Sequence, residues 1–368
     1  MLSTTANTGE LSTIGILSNS GTVDISKNLV YGFSSVPTAN PTYQYGISVT
    51  GGTGNLSNNM IRLGFDISGS PQTAVSDIAG IYCSSTSTVS AYHNSIYLGG
   101  TGVTAGSSYA FRRNTSSGTY NVRNNIFVNE RSNSGGSGKH FAYWVWVAPT
   151  TSDYNIYYAT GTGGILFSLN GTDQATLQGM KSAMSGQDLS SGVGNPNFVA
   201  PTAATPDLHL NSPTPAEGTG IAIGTVTDDF DGDVRASTTP TDIGADAVNA
   251  TASDIFTPAV TVSAVTNQAV CTGTIDVNIT ATITDAGSGI ATGANEPRLW
   301  YRLSAGSGSP TAWAYIAPSS TSGSTYNYVL NLPGVVTAKP INIMWWHRMW
   351  RVISDIVTSM LLLRFTPA

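Results

Sequence analysis

Residues 43–49 read YQYGISV and residues 59–61 read NMI, and variants of this pair recur through the first 160 residues. The first unit is an aromatic or aliphatic residue, then Gly or Ala, then a large apolar residue. The second unit is Asn, any residue, then Ile or Val. A repeat of this length predicts an architecture of stacked copies, in which each copy buries its apolar side against its neighbours.

The copies keep a nearly constant internal spacing. The first unit appears as Ile14-Gly15-Ile16, Tyr45-Gly46-Ile47, Ala79-Gly80-Ile81, Tyr109-Ala110-Phe111 and Phe141-Ala142-Tyr143. The second unit appears as Asn28-Leu29-Val30, Asn59-Met60-Ile61, Asn94-Ser95-Ile96 and Asn124-Asn125-Ile126, with a degenerate copy ending at Ile156. The step between units is 13 to 15 residues, and successive second units lie 30 to 35 residues apart. This spacing predicts a coil with two short strands per period that stacks on itself.

Period-two alternation within each run predicts β-strands. Tyr45, Ile47 and Val49 are expected to share one face, as are Phe141, Tyr143, Val145 and Val147. Stacked at ~4.8 Å per coil, such strands bury that face. The recurring asparagines are then expected to form a side-chain ladder rather than a ligand site. Because propeller blades and leucine-rich repeats have other periods, we predict an all-β chain with a parallel β-helix over residues 1–170.

The composition agrees with long β surfaces and excludes several functions. Only 10% of the 368 residues are charged and the net charge is −6, so nothing resembles the basic stripe of a nucleic-acid-binding protein. A 40% hydrophobic content excludes a disordered chain. Cys83 and Cys271 fall in different predicted domains, and we expect no disulfide between them.

Residues 171–250 are predicted to close the solenoid. Leu177, Met180 and Met184 have helical spacing within residues 173–184, and Thr172 or Asp173 is the expected cap of that helix. A solenoid end exposes an apolar cross-section, which a short amphipathic helix and an irregular strand segment can cover.

Three stretches carry a resemblance: SGQDLSSGVGNPNFV (185–199), PDLHLNSPTPAEGTG (206–220) and DDFDGDVRASTTPTDIGADAV (228–248). Together they resemble the closing segment of right-handed parallel β-helix proteins of bacterial surfaces, which often carry a choice-of-anchor region. The likeness covers about residues 10–248 and departs from the family at SPTPAEGTG. It implies an extracellular or cell-surface protein whose closing segment is mostly architectural. Because no basic, apolar leader opens a chain that otherwise resembles an exported protein, we expect a fragment with a missing N-terminus. The alternative is a cytosolic protein.

Residues 251–338 alternate apolar and polar residues between turn signals and resemble immunoglobulin-like or fibronectin-like surface modules. Val277, Ile279, Ala281 and Ile283 are expected to face one way. The aromatic residues Trp300, Trp313 and Tyr315 are expected to fill the core or its edge rather than to bind sugar. Such a β-sandwich usually acts as a spacer.

The pattern breaks after Ala338, and residues 339–368 are predicted to be a frameshifted tail. Arg348, Arg351 and Asp355 interrupt its apolar run, so it is not a membrane span. If each codon takes the last base of one codon and the first two of the next, the run from Pro340 permits DQYYVVAQDVAGNIGYS, which alternates like the missing final strands. We therefore predict a frameshift near Lys339.

Two groups of residues are candidate sites. Asp229, Asp231 and Asp233 alternate around Gly232, a spacing that can hold Ca²⁺. The twelfth position of an EF-hand loop starting at Asp229 would be Pro240, which excludes an EF-hand. The alternative is an Asp-rich turn in which Arg235 pairs with a carboxylate.

The second group combines cations with tryptophans. Trp144 and Trp146 have the parity opposite to Tyr143 and Val145 and are expected to point outward. Near arginines, outward tryptophans can stack on an acidic glycan. The candidate ligand-binding residues are Arg112, Arg113, Arg131, His140, Trp144 and Trp146.

Catalysis is not indicated, because no two acidic residues of the repeats occupy equivalent positions in neighbouring coils. The favoured function is a non-enzymatic secreted or cell-surface structural or adhesion protein, whose partners are glycans or other surface molecules. The alternative is a carbohydrate-binding protein or a polysaccharide-degrading enzyme of the lyase or glycosidase type.

The frameshift hypothesis predicts a single-nucleotide insertion or deletion near codon 339. Long-read sequencing of the gene in several independent clones should show it, and the restored frame should encode the alternating string above. A clean open frame through this point in all clones would contradict the hypothesis.

Overall fold

The computed structural model forms two compact units, residues 1–256 and 257–368. It describes residues 11–34, 42–74, 77–104, 106–235, 241–255, 259–263, 274–285, 290, 292, 296–303, 312–333, 341–346 and 360–363. Cys271 and the predicted frameshift point at Lys339 lie outside the described residues.

The first unit is a β-solenoid built from five strand triplets, related by about four turns of the chain. In chain order the triplets are β1 (Leu11–Ser18), β2 (Thr22–Ser26), β3 (Leu29–Tyr31); β4 (Thr42–Val49), β5 (Thr53–Ser57), β6 (Met60–Leu63); β7 (Asp77–Cys83), β8 (Thr88–Tyr92), β9 (Ser95–Leu98); β10 (Ser107–Arg113), β11 (Thr119–Arg123), β12 (Ile126–Asn129); and β13 (His140–Val145), β14 (Thr151–Asp153), β15 (Ile156–Ala159). After them come β16 (Gly164–Leu169), β17 (Thr172–Gln174), helix α1 (Leu177–Ala183), β18 (Gly192–Val193), β19 (Phe198–Ala200) and β20 (Asp207–Leu210).

Equivalent strands of the triplets stack in parallel into three sheets. Sheet A joins β1, β4, β7, β10, β13 and β16, with β17 antiparallel at its end. Sheet B joins β2, β5, β8, β11 and β14, and sheet C joins β3, β6, β9, β12, β15 and β18. The expectation of two strands per period was wrong, because sheet B forms a third. Its strands carry a buried apolar column of Ile25, Leu56, Ala91 and Val122, which the two repeat units did not include.

The interior side chains explain why the first unit has Gly or Ala at its centre. A Cβ on Gly46 would lie 2.6 Å from both the carbonyl oxygen of Gly80 and Ile61 Cγ2. Ala110 and Phe111 both belong to the buried core, so two consecutive residues point inward at this position. Alternation breaks there.

This break overturns one expectation about strand faces. Ile47, Val49, Tyr143 and Val145 lie in the core as predicted. In contrast, the residue that precedes the central Gly or Ala of the first repeat unit lies on the other side of the sheet. These residues form a separate cluster, whose members are Ala79, Tyr109, Phe141 and the partly buried Tyr45.

The predicted asparagine ladder is present, with one change of register. The side-chain amide of each asparagine donates to the Oδ1 of the next, at 2.9 to 3.0 Å, and Ser191 Oγ ends the row by accepting from the backbone of the last. The members are Asn28, Asn59, Asn94, Asn125 and Asn155. The fourth member is therefore Asn125 rather than Asn124, because Ile126 pairs with Ser95 and not with Ile96.

A left-handed residue precedes each asparagine of the ladder and turns the chain from sheet B into sheet C. These residues are Lys27, Asn58, His93, Asn124 and Tyr154, with φ between 54° and 59°. Few non-glycine residues adopt this conformation, so its recurrence shows that the same sharp turn is repeated in every coil. We call these five residues the corner residues. Asn124 occupies this corner, where its amide lies 2.9 Å from His93 Nε2.

Helix α1 begins later than predicted. Its N-cap is Thr176, whose side chain accepts from the backbone of Gly179 at 3.1 Å. The predicted start is occupied instead by β17, which pairs with β16. Met180 and Met184 enter the core and cover its end.

Residues 195–235 and 241–248 do not cover the solenoid end but lie along the outer side of sheet C. Met60, Tyr97, Ile126, Val128 and Ile156 of that sheet form one buried cluster with side chains of the closing segment, among them Phe198, Leu208, Leu210, Ile243 and Ala245. Part of this segment, residues 221–235, is called the strap below. It follows the corner residues from Asn124, which bonds Ile221, to Lys27, which pairs with Asp228 at 2.6 Å.

The second unit is β-sandwich-like. One antiparallel sheet contains β21 (Ala259–Val262), β22 (Thr274–Thr284), β25 (Ser320–Ser322) and β26 (Thr325–Pro333); the other contains β23 (Arg298–Leu303), β24 (Ala314–Ile316), β27 (Ile341–Trp346) and β28 (Met360–Leu363). Val277, Ile279, Ala281 and Ile283 are buried together as expected. Trp300 and Tyr315 do not join that core; their rings contact each other at 4.9 Å, and Tyr315 is exposed.

The ladder predicts an asymmetry between two asparagine substitutions. Asn94→Ala should lower the free energy of unfolding by about 3 kcal/mol or more, because it leaves buried groups of Asn59 and the Leu56 carbonyl without partners. Asn121→Ala, on the outer side of sheet B, should cost less than about 1 kcal/mol. Urea unfolding measures both, and equal losses would contradict a stabilising ladder.

Candidate functional site

The outer side of sheet A carries two adjacent columns of side chains. Strand register aligns Tyr45, Ala79, Tyr109, Phe141 and Ile165 in the first column. It aligns Ser48, Tyr82, Arg112, Trp144 and Ser168 in the second. We call the surface formed by Tyr45, Tyr82, Tyr109, Arg112, Phe141, Trp144 and Trp146 the aromatic face.

The rings of the aromatic face pack against one another across the coils. Tyr45 stacks on Tyr82 with ring centroids 4.6 Å apart, and Tyr109 stacks on Phe141 at 5.3 Å. Trp144 contacts Tyr109 edge-on at 6.1 Å. Because neighbouring rings restrict each other, the surface is preorganised before any ligand arrives.

Arg112 lies at the centre of this face. Its guanidinium carbon lies 4.4 Å from the ring centroid of Tyr109, 5.3 Å from Trp144 and 5.8 Å from Tyr82. Its Nη1 donates to the carboxylate of Asp77 at 3.1 Å. Burial raises the pKa of Asp77, and the neighbouring guanidinium opposes that rise. The cation and its carboxylate together leave the centre of the face nearly neutral.

Trp146 is the most exposed ring of the face. Its side chain is 48% exposed, and its centroid lies 6.1 Å from that of Trp144. The backbone nitrogen of Trp146 donates to the Arg113 carbonyl at 2.9 Å. The Arg113 side chain donates in turn to the carbonyls of Val147 and Ala148, so it holds the turn that presents the tryptophan.

The structure brings together three of the six predicted binding residues: Arg112, Trp144 and Trp146. Arg113 and Arg131 are buried instead, at 2% and 1% exposure. Arg131 donates to the carbonyls of Gly99 and Gln72 at 2.9 and 2.8 Å, and burial lowers its pKa to about 10. Both arginines join loops of successive coils and do not face solvent.

His140 is also buried. Its Nδ1 lies 2.9 Å from Ser108 Oγ and its Nε2 lies 2.9 Å from Asn133 Oδ1. Burial, with a further contribution from Arg131, lowers the pKa of His140 to about 4. In the neutral ring Nε2 donates to the Asn133 oxygen, so Nδ1 accepts from the serine hydroxyl.

Sequence reasoning missed Tyr82, Tyr109 and Asp77. The sequence does contain a pattern that groups Tyr82 with Arg112 and Trp144. Each of the three directly follows the last apolar residue of the first repeat unit. Aligning the repeats by that residue places the three in one column, whereas proximity along the chain selected Arg113 and Arg131.

The predicted calcium ligands Asp229, Asp231 and Asp233 do not point to a common site. Asp229 is buried, and its carboxylate accepts backbone hydrogen bonds from Asp231, Gly232, Asp233 and Ala247 at 2.8 to 3.0 Å. It therefore orders the turn. Arg235 donates to backbone carbonyls and to Asn58 Oδ1.

Within the described ranges, the donor atoms that could hold a metal together are those of His209, Asp231 and Asp246, which lie within 4.8 Å of one another. Asp231 Oδ2 lies 2.8 Å from His209 Nε2. Asp207 Oδ1 lies 2.5 Å from the other ring nitrogen. The structure thus groups Asp231 with a histidine and not with Asp229 and Asp233.

Comparisons with protein-family models, curated proteins and solved structures find no match to this chain. In the part of the chain that the structure describes, no helix has the length and apolar character needed to cross a membrane.

The histidines should titrate differently. We expect His140 to stay neutral above about pH 5, because its folded pKa is about 4. The pKa of His209 should lie above its ordinary value, because the hydrogen bonds from its ring to Asp207 and Asp231 outweigh the opposing effect of burial. Imidazole NMR titration distinguishes them.

Since the unfolded state takes up a proton on His140 near pH 6.5, this residue should lower stability as pH falls from about 6.5 to about 4. A His140 resonance that titrates near 6.5 would show that the ring is not buried as described.

Proposed function

We propose that the chain is a non-enzymatic, carbohydrate-binding β-solenoid of the adhesion type, which binds neutral glycans on the aromatic face. The observation that carries this proposal is the position of Arg112, surrounded by three aromatic rings and paired with Asp77, next to the exposed Trp146.

The chemistry of the face matches that of a sugar chain. The C–H faces of pyranose rings are apolar and pack on aromatic rings, while their hydroxyls need donors and acceptors. Arg112 offers donors and Asp77 offers acceptors between the rings. The aromatic rings of the face extend over four coils at ~4.8 Å per coil, which suits an extended ligand.

The charge of the face favours neutral glycans over acidic ones. The expectation of an acidic ligand depended on a cluster of free arginines. Arg113 and Arg131 are buried, and Arg112 has a carboxylate partner at 3.1 Å. An acidic sugar would have to compete with Asp77 for the guanidinium, at a cost in affinity.

Binding is a better proposal than cleavage. Glycosidases and lyases need a carboxylate or base positioned for proton transfer. Among the described residues near this face, Asp77 pairs with Arg112 and Asp173 pairs with Lys139 at 2.5 Å. Each carboxylate is thus held by a cation, a state that suits structure and recognition.

An extracellular or cell-surface location is part of the proposal. The resemblance of residues 185–248 to closing segments of bacterial surface β-helix proteins supports it, together with a polar, weakly charged solenoid. The second unit would then act as a spacer, as immunoglobulin-like modules of surface proteins do.

Affinity electrophoresis and calorimetry with neutral polysaccharides (a glucan, a mannan, a galactan and a xylan) test the proposal, with polygalacturonate as the acidic comparison. We expect one or more neutral chains to bind better than polygalacturonate. Trp146→Ala and Trp144→Ala should each weaken binding about tenfold, equivalent to ~1.4 kcal/mol.

Leu189→Ala, an exposed apolar residue outside the face, is the matched control and should change nothing. If Trp144 and Trp146 variants bind as the parent chain does, the aromatic face is not the site. Release of sugar fragments by the parent chain would instead favour the enzymatic alternative.

A further inference from the structure

A second surface of the solenoid forms a groove that the aromatic face does not include. It lies between the outer side of sheet B and the strap, and encloses about 590 Å³. Its floor spans strands β2, β5 and β8, and its wall is formed by Thr225, Val226 and Asp228. Sheets A and B have different outer surfaces, so the two sites would act independently.

Polar side chains line the floor of this groove. Asp24 and Asn55 pair across adjacent strands, with the amide donating to the carboxylate at 2.7 Å. Ser90 aligns with Asn55 on the next strand, and Tyr92 follows two residues later on the same side. The floor therefore presents a carboxylate, a carboxamide and a hydroxyl in a row of about 10 Å, with the Tyr92 ring beside the end of that row.

The wall of the groove is held rigidly by the corner residues. Asn58, which is 2% exposed, donates to the Asp228 carbonyl at 2.8 Å. Lys27 pairs with the Asp228 carboxylate at 2.6 Å. Arg235 donates to the same carbonyl and to Asn58 Oδ1 at 3.0 and 2.9 Å. With these bonds in place, the groove exists before a ligand binds, which lowers the entropic cost of binding.

We propose that this groove binds a short neutral saccharide, of disaccharide size, through its hydroxyl groups. The adjacent carboxylate and carboxamide of Asp24 and Asn55 can accept from and donate to neighbouring hydroxyls of one sugar ring. Tyr92 lines the groove and offers a ring on which a second sugar stacks, while the Arg123 guanidinium lies 5.4 Å from the centroid of the same ring. Of the charged groups that line the groove, two are carboxylates, Asp24 and Asp228, and one is an ammonium group, Lys27, which Asp228 already pairs, so an acidic ligand is disfavoured.

Titration of the full chain with a panel of disaccharides tests this inference by ¹⁵N-resolved NMR and calorimetry. The panel comprises cellobiose, maltose, lactose and chitobiose, with digalacturonate as the acidic member. We expect a neutral disaccharide to shift amide resonances of residues 24, 55, 90 and 92. Asp24→Ala and Asn55→Ala should each weaken that binding at least tenfold.

The matched control is Asn121→Ala, in the same row of sheet B but outside the groove. It should leave affinity unchanged, whereas Thr225→Trp should abolish binding by filling the groove from its exposed wall. Because Asp24, Asn55 and Thr225 are exposed, these variants should keep the parent's unfolding temperature.

Three outcomes would overturn the inference: no neutral disaccharide binds, digalacturonate binds more tightly than the neutral members, or Thr225→Trp leaves the affinity unchanged. Trp146→Ala separates this result from the proposed function. If the groove is a distinct site, that variant binds polysaccharide about tenfold more weakly and keeps the parent's affinity for the disaccharide. Loss of both would assign all binding to the aromatic face and overturn the groove.

Discussion

The buried hydrogen bonds between stacked asparagines set the register of the solenoid. In the inner coils each amide nitrogen donates to the Oδ1 of the next coil's asparagine and to a backbone carbonyl of the preceding coil, as Asn94 does with Asn125 and Leu56. A shift of one residue would remove these bonds and turn the apolar side chains of sheet C outward. Since every coil copies the register of its neighbour, the columns of sheets A and B are aligned by the same constraint.

The three sheets have outer surfaces with different roles. The closing segment buries the outer side of sheet C, where Met60, Tyr97 and Ile126 would otherwise be exposed apolar residues. Sheet A keeps aromatic rings and an ion pair on its outer side, and sheet B keeps small polar groups. The closing segment therefore covers sheet C, whose apolar outer side would otherwise be exposed. The outer sides of sheets A and B stay accessible, and these are the surfaces on which we propose saccharide binding.

Repeated local patterns made much of the fold predictable. Motifs such as Tyr45-Gly46-Ile47 and Asn59-Met60-Ile61 recur because each coil must meet the same steric and hydrogen-bonding requirements. Sheet B was missed although Ile25, Leu56, Ala91 and Val122 recur at equivalent positions, because the apolar residue there varies in size from Ala to Leu. The register error at Asn124 arose because Asn124-Asn125-Ile126 satisfies the motif whereas Asn125-Ile126-Phe127 does not, and only the pairing of Ile126 with Ser95 and Ile156 shows that Asn125 is the ladder residue.

The sequence by itself determined that the chain forms a stacked β-solenoid followed by a β-sandwich-like unit, because those folds depend on spacing and alternation that are written along the chain. Only the tertiary structure decided which cations reach solvent. Arg112 and Arg113 are neighbours in sequence, yet one lies among surface rings and the other binds buried carbonyls. The reason is that a strand sends successive side chains to opposite sides, and what lies on each side depends on distant segments.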